Sequence, residues 1–184
     1  MSRLAIHLND AGITVSDSDQ ITYREPGYAW LGDAALKSGN EAFAHSRIDP
    51  RRIQHRFWSE LSTSPLADAR FGHLTPADLA IRQLEEAWQA QSDSADGLVV
   101  AVPGYMSAEN LGLFLGIAGE LSLPVVALVD AAVAATRREY KDAVPVHIDL
   151  GLHKAVLTRL AQPGMAQSDR TEVLDGAGVF SLYD

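Results

Sequence analysis

The sequence predicts an α/β fold whose sheet mixes parallel and antiparallel strands. Two valine-rich apolar runs, 98–102 and 123–130, are each followed by a helical pattern of apolar residues. Short apolar runs that alternate with helices are typical of parallel βαβ units. The amino-terminal residues instead alternate between apolar and polar side chains on both sides of a turn, which is typical of an antiparallel hairpin. A hairpin followed by a βαβα unit therefore predicts one mixed sheet.

The first strands are indicated by this alternation. Apolar side chains alternate with polar positions over residues 4–8, turn-forming residues occupy 9–12, and the alternation resumes over 13–15. A third strand is predicted at 21–23. We expect these three strands to lie antiparallel ahead of the βαβα unit.

The two crossover helices have recognisable starts. Ser107 is placed to cap the first, and Asp130 is placed to accept backbone N–H groups at the start of the second, which continues toward Arg138. Glycine inside a helix costs roughly 1 kcal/mol relative to alanine, so glycines in the first helix need a local reason. We expect close packing against another backbone at these positions, which are Gly112, Gly116 and Gly119.

Residues 25–94 leave this order, and we expect an inserted helical region there. A short helix is predicted over 34–44, and a basic, aromatic helix over 49–58. The clearest helix start is Thr75, which is followed by a proline and then by Asp78 at the third helical position.

Strands return after residue 145. Segments 146–150 and 155–160 are predicted to form a hairpin, and 171–174 and 179–183 would add further strands. Such strands leave unpaired edges and a half-covered apolar face, so they must pack on the rest of the chain or on another chain. A homodimer is therefore one expected assembly.

Three segments resemble, in order and spacing, the nucleotide-binding domain of the seventy-kilodalton heat-shock chaperones, which belong to the actin-like ATPase superfamily. That family has a valine-proline-alanine-tyrosine turn, an asparagine-glutamate-proline-threonine-alanine run and an aspartate-leucine-glycine loop. The corresponding segments are 100–106 (Val-Ala-Val-Pro-Gly-Tyr-Met), 126–135 (Val-Ala-Leu-Val-Asp-Ala-Ala-Val-Ala-Ala) and 147–151 (His-Ile-Asp-Leu-Gly). Residues 4–9 and 31–35 are weakly similar to the family's first phosphate-binding hairpin and to its valine-glycine-x-x-alanine segment.

The resemblance implies two lobes. Residues 1–143 correspond to a first actin-like lobe, with an inserted subdomain at about 25–94, and residues 144–184 correspond to the opening strands of a second, truncated lobe. We therefore expect the chain to be a fragment or a one-lobe version of a longer protein.

The resemblance also implies where a nucleotide would bind. In the family, two glycine-rich hairpins hold the phosphates of ATP through backbone N–H groups, and nearby carboxylates organise magnesium and water. The corresponding catalytic carboxylates are Asp149 and Asp130. The nucleotide-binding positions are Asn9, Asp10, Ala11, Gly12, Gly151, Leu152, His153 and Lys154. The implied cofactor is ATP or ADP with Mg²⁺.

Several of these positions differ from the family. His7 replaces an aspartate, Asn9-Asp10-Ala11 replaces glycine-threonine-threonine, Leu152-His153-Lys154 replaces glycine-glycine-threonine, and the family's catalytic lysine falls near His55. Asp10 would place a negative charge where a phosphate should lie. Phosphoryl transfer depends on positioning and on neutralising charge, so ATP hydrolysis is predicted to be weak or lost. Any activity that remains would be that of an ATPase.

The histidines suggest a second interpretation, in which His7 and Asp149 bind a transition metal with His147 and His153 nearby. Their spacing matches no zinc signature. The alternative is that they are separate surface or hinge residues.

Composition limits the classes of function. The 184 residues carry a net charge of −9 and are 47% hydrophobic, as expected for an acidic globular protein. The acidic charge argues against nucleic acid as a partner. The absence of cysteine excludes disulfides, thiolate catalysis and cysteine zinc sites. No apolar run is long enough for a signal peptide or a membrane span, so a cytoplasmic protein without membrane contact is expected.

Two functions follow from these observations. The first is the nucleotide-binding part of a divergent heat-shock-type chaperone relative, which would have protein partners or co-chaperones. The second is a non-catalytic interaction scaffold with no nucleotide site. The hairpins distinguish them, because a nucleotide site would present the backbone N–H groups of 9–12 and 151–153 to an empty cavity, whereas a scaffold would fill that space with side chains.

Overall fold

The computed structural model describes residues 3–18, 20–33, 35–91 and 95–182, which form three sheets and four α-helices. The strands are β1 (Arg3–Asn9), β2 (Gly12–Asp17), β3 (Gln20–Pro26), β4 (Ala29–Leu31), β5 (Leu36–Ser38), β6 (Ile53–Gln54), β7 (Gly97–Val102), β8 (Val125–Asp130), β9 (Val146–Leu150), β10 (Lys154–Ala161) and β11 (Gln167–Asp175). The helices are α1 (Gly39–His45), α2 (Pro76–Gln89), α3 (Ala108–Glu120) and α4 (Ala131–Ala135).

The largest sheet is mixed, as the sequence predicts. Its strand order is β3-β2-β1-β7-β8, with β1 antiparallel to β2 and parallel to β7, and with β7 parallel to β8. Alternate residues of β1, which are Leu4, Ile6 and Leu8, are buried in the core. Residues of α2 and α3, including Leu84 and Phe114, belong to the same core. The two helices therefore cover one face of the sheet.

Both predicted caps of the long helices are confirmed. Thr75 and Asp78 form a reciprocal capping box at the start of α2, and Ser107 and Asn110 form another at the start of α3. Each box satisfies backbone N–H groups that have no partner within the helix.

A second sheet follows α4 and has the order β11-β10-β9. All of its neighbouring strands are antiparallel, so it repeats the β3-β2-β1 arrangement of the first sheet. It packs closely on the turn after β7, because a Cβ atom added at Gly104 would lie 3.1 Å from Thr171 Cγ2 and 3.3 Å from Val156 Cγ1.

The inserted region is less helical than predicted. The helix expected over 49–58 is wrong, because Pro50–Arg52 form one 3-10 turn and β6 then pairs with β4. The helix expected over 34–44 begins later, at Gly39, since Leu36–Ser38 pair with β4 instead. Ala34 lies outside the described residues. In both segments, pairing to β4 replaces the expected helical hydrogen bonds.

Two further predicted elements differ in length or type. Helix α4 begins after Asp130, as predicted, but ends at Ala135, because Thr136 is extended and its hydroxyl donates to the Ala132 carbonyl. The strand expected over 179–183 is wrong for the described residues, which form a 3-10 helix from Val179 to Leu182. Its first N–H groups donate to the carbonyls of Gly151 and Leu152 rather than to a strand. Tyr183 lies outside the described residues.

The glycines of α3 do not pack as expected. A Cβ atom added at Gly112, Gly116 or Gly119 would meet no atom of the described residues within 4 Å, apart from its chain neighbours and the backbone of α3 itself. The prediction of close backbone contact is therefore wrong for the described part of the chain.

Candidate functional site

The two hairpins that the resemblance assigns to phosphate binding meet directly. Asp10, in the turn between β1 and β2, is fully buried. Its Oδ1 accepts the backbone N–H of Leu152 at 2.9 Å, and its Oδ2 accepts that of His153 at 2.8 Å. We call this arrangement of Asp10, Leu152 and His153 the Asp10 clamp. It joins the first hairpin to the turn between β9 and β10.

Gly151 permits this approach. A Cβ atom added at Gly151 would lie only 1.9 Å from Asp10 Oδ1, far inside any allowed contact. The glycine that resembles the one in the family's loop therefore makes room for a carboxylate of the same chain. In this structure the backbone N–H groups of Leu152 and His153 face a side chain, not an empty cavity.

Local contacts hold the first turn in place. The Ala11 N–H donates to Asn9 Oδ1 at 2.9 Å, and the Gly27 N–H donates to the Ala11 carbonyl at 2.9 Å. Gly12 has a φ of +147°, and a Cβ atom there would lie 2.1 Å from the Glu25 carbonyl oxygen. A residue with a side chain at this position would push β3 away from the turn.

The predicted catalytic carboxylates have structural contacts. Asp149 accepts a long hydrogen bond of 3.4 Å from Asn9 Nδ2, which is a second link between the hairpins. Asp130 caps α4 by accepting the Ala132 N–H at 2.7 Å, and it also accepts the Ser168 hydroxyl at 2.6 Å. Asp130 therefore ties α4 to β11.

Tyr105 lies beside the clamp, in the turn that follows β7. Its hydroxyl is buried and lies close to the backbone of Asp10. Burial, together with the carboxylates of Asp10 and Asp149, raises the pKa of Tyr105 well above its usual value. Lys154 Nζ lies 5.5 Å from the centre of the Tyr105 ring and 2.9 Å from Asp175 Oδ1. Lys154, one of the positions at which the resemblance implies nucleotide binding, is thus paired with a carboxylate of β11.

A histidine pair connects the inserted region to the second hairpin. His55 Nδ1 lies 2.9 Å from His153 Nε2, the two rings stack with centres 4.8 Å apart, and Phe180 packs against both. Burial and the neighbouring charge of His153 lower the pKa of His55 to about 4, and burial also lowers the pKa of His153. Both rings are therefore neutral near pH 7.

Sequence reasoning found His55 and His153 separately but missed their contact. The only signal was that His55 falls near the family's catalytic lysine, which should face the cleft. Nothing in the sequence indicated that Phe180 would close over the pair, because residues 179–183 were predicted as a strand.

The residues of the metal hypothesis are not gathered together. No group of three or more histidine or acidic side chains suited to a metal ion occurs among the described residues. His7 is exposed on β1, whereas the ring of His153 stacks on His55. His7 instead lines a cavity of about 540 Å³ together with Asn9, Gly12 and Arg24.

No protein-family model matches the sequence, and no curated protein matches it significantly. Solved structures do match it. One is the crystal structure of MreB5 of Spiroplasma citri bound to ADP, with a TM-score of 0.69 and 16% sequence identity over 95% of this chain and 52% of that chain. The chain has the actin-like fold.

The chain spans about half the length of this actin-like structure. The comparison shows the fold alone, and it does not single out the heat-shock chaperones. None of the helices in the described ranges is long and apolar enough to cross a membrane.

Proposed function

We propose that this chain is a non-catalytic actin-like module, in which the phosphate-binding hairpins are held together by an internal carboxylate and the fold serves as a scaffold for protein interaction. The Asp10 clamp carries the proposal, because the fully buried carboxylate of Asp10 accepts the N–H groups of Leu152 and His153. These are two of the positions at which the resemblance implies contacts to ATP.

The clamp and a phosphate would compete for the same donors. Carboxylates and phosphates both bind arrays of backbone N–H groups, since both are anions with several acceptor oxygens. A phosphate at this turn would have to displace Asp10 or lie beside it. Two unit charges about 4 Å apart repel by about 4 kcal/mol at an effective dielectric constant near 20. A penalty of this size weakens phosphate binding roughly a thousandfold, so a site of micromolar affinity would no longer bind at micromolar concentrations.

Magnesium nucleotide does not fit the turn as it stands. The space beside Gly151, where a phosphate would otherwise lie, is occupied by Asp10 Oδ1. Lys154, the lysine of the second hairpin, is paired with Asp175. The N–H groups of Leu152 and His153 and the ammonium group of Lys154 therefore already have partners within the chain.

The second candidate is nucleotide binding without efficient hydrolysis, as part of a heat-shock-type chaperone relative. It is favoured by the cavity of about 540 Å³, which three predicted nucleotide-binding residues line, Asn9, Ala11 and Gly12. MreB5 of Spiroplasma citri, which shares the fold, was crystallised bound to ADP. In this case the nucleotide would lie against the first hairpin and its phosphates would avoid the clamp.

A calorimetric titration separates the two candidates. Magnesium-ATP and magnesium-ADP are added to the wild-type chain and to the double variant His7→Asp with Asp10→Thr, which restores the family's residues. The proposal predicts no binding to the wild type at any affinity tighter than about 1 mM. Binding by the wild type that the double variant strengthens would favour the second candidate. Binding that neither residue influences would place the nucleotide outside the hairpins and would contradict both.

A further inference from the structure

Strand β9 is an open edge of the second sheet. It pairs with β10 alone among the described strands. The flanking hydrogen bonds, from Gly151 N–H to the Lys154 carbonyl and from Leu160 N–H to the Pro145 carbonyl, fix the alternation of the ladder. The backbone groups of His147 and Asp149 therefore point to β10. Those of Val146, Ile148 and Leu150 point away from the sheet.

The same three residues expose apolar side chains. Val146, Ile148 and Leu150 are 55%, 66% and 47% exposed. Unpaired N–H and C=O groups beside exposed apolar side chains form a template for another strand. The opposite edge of this sheet is different, because β11 carries Asp169, Arg170, Glu172 and Asp175, and charges of this kind discourage strand addition.

We propose that β9 pairs with β9 of a second copy of this chain, antiparallel and with a two-fold axis at Ile148. The strand is self-complementary in this register. Val146 lies opposite Leu150 of the second copy on the exposed face, so apolar side chains meet apolar side chains. His147 lies opposite Asp149 on the other face, so an imidazole meets a carboxylate twice. The six strands would form one continuous sheet.

The side chains of His147 and Asp149 favour this register over the two registers whose axes lie one residue to either side. Moving the axis to His147 places the two histidines opposite each other and leaves Leu150 without a partner within β9. Moving it to Asp149 places two carboxylates opposite each other, which is unfavourable in directly facing pairs. Cross-strand pairs of this kind normally prevent one strand from shifting its register against the other. The dimer leaves the three residues of the Asp10 clamp outside the interface, although Asp149 of the interface also accepts a hydrogen bond from Asn9 Nδ2. The dimer does not depend on the proposed function.

Sedimentation velocity over a concentration series of the full 184-residue chain tests the interface. The wild type should sediment as a dimer at high concentration and dissociate on dilution. Ile148→Lys, which places two ammonium groups at the axis, should remain a monomer throughout. Val126→Lys is the matched control, because Val126 is 56% exposed on the edge strand β8 and lies outside the interface.

A charge exchange tests the register itself. His147→Asp alone brings four carboxylates together and should weaken the dimer at least about tenfold. The double variant His147→Asp with Asp149→His restores opposite partners and should recover the dimer, which a folding defect would not do. A monomeric wild type would overturn the proposal. A dimer that survives Ile148→Lys, or one that Val126→Lys abolishes, would also overturn it.

Discussion

The carboxylate of Asp10 accepts the backbone N–H of His153 at 2.8 Å, although the two residues are 143 positions apart in the chain. Asp10 closes the first hairpin and His153 closes the hairpin of the second sheet. This contact places an internal anion at a turn that the resemblance assigns to phosphate. If the proposed function holds, the same contact both stabilises the chain and excludes a nucleotide from this turn.

Asp10→Asn should destabilise the chain by about 1–3 kcal/mol, because the amide group places a donor against one of the two buried N–H groups and leaves it unsatisfied. Urea unfolding followed by circular dichroism measures the change. Asp142→Asn is the matched control, since Asp142 is exposed, and it should alter the free energy of unfolding by less than about 0.5 kcal/mol. Equal stabilities for the two variants would contradict the clamp.

Gly151→Ala should cost about 1–3 kcal/mol, because the new methyl group would overlap Asp10 Oδ1. The cost should shrink when Asp10 is also changed to alanine, since the clashing atom is then gone. A double-mutant cycle of unfolding free energies measures this coupling. Additive effects would mean that Gly151 is required for some reason other than the carboxylate.

Acid should weaken the contact between the inserted region and the second hairpin. Burial, assisted by the charge of His153, lowers the pKa of His55 from 6.5 to about 4. Between these pH values the unfolded chain binds more protons than the folded chain, so stability is complete above pH 6.5 and falls as the pH drops toward 4. His55→Gln should flatten this part of the stability curve.

The histidine prediction has a control of the same chemistry. His73 is exposed, and His73→Gln should leave the slope between these pH values unchanged. Unfolding free energies measured from about pH 4 to about pH 7 compare the three proteins. Parallel curves for wild type and His55→Gln would show that the histidine pair does not titrate with folding.

Gln83→Leu should destabilise the chain by about 2–4 kcal/mol. The buried amide accepts the Trp58 ring N–H at 2.7 Å and donates to the Pro26 carbonyl at 2.7 Å, so leucine would leave two buried groups unpaired. Gln89→Leu is the control, because Gln89 is exposed on the same helix. Urea unfolding should give a clearly lower midpoint for Gln83→Leu than for Gln89→Leu. Similar midpoints would contradict the structural role of the Gln83 amide.

The sequence predicted the elements whose signals are local. Alternation located the first hairpin, and caps located α2 and α3, because Thr75 and Ser107 satisfy backbone groups within four residues of themselves. The prediction failed where hydrogen bonds to a distant segment replace the local hydrogen bonds of the backbone. Residues 49–58 have helical character, but pairing to β4 prevails there. Residues 179–182 turn instead of extending, because their N–H groups find the carbonyls of Gly151 and Leu152.

The candidate site was predicted only in part, because its contacts also join segments that are distant in the chain. Motif spacing located both hairpins and placed the negative charge of Asp10 where the resemblance implies a phosphate. It could not indicate that Asp10 itself would occupy the turn, since that requires the distance between two segments 142 residues apart. The pairing of His55 with His153 is another contact between distant segments that no local pattern encodes.

The most direct test of the clamp follows the amide signals of Leu152 and His153 by NMR while magnesium-ADP is added to the wild-type chain. If Asp10 occupies the turn, both amides should exchange slowly with solvent and keep their chemical shifts up to millimolar nucleotide, and Asp10→Ala should remove their protection. Saturable shifts of both amides on adding nucleotide to the wild type would contradict the clamp, because the turn would then bind phosphate in spite of Asp10.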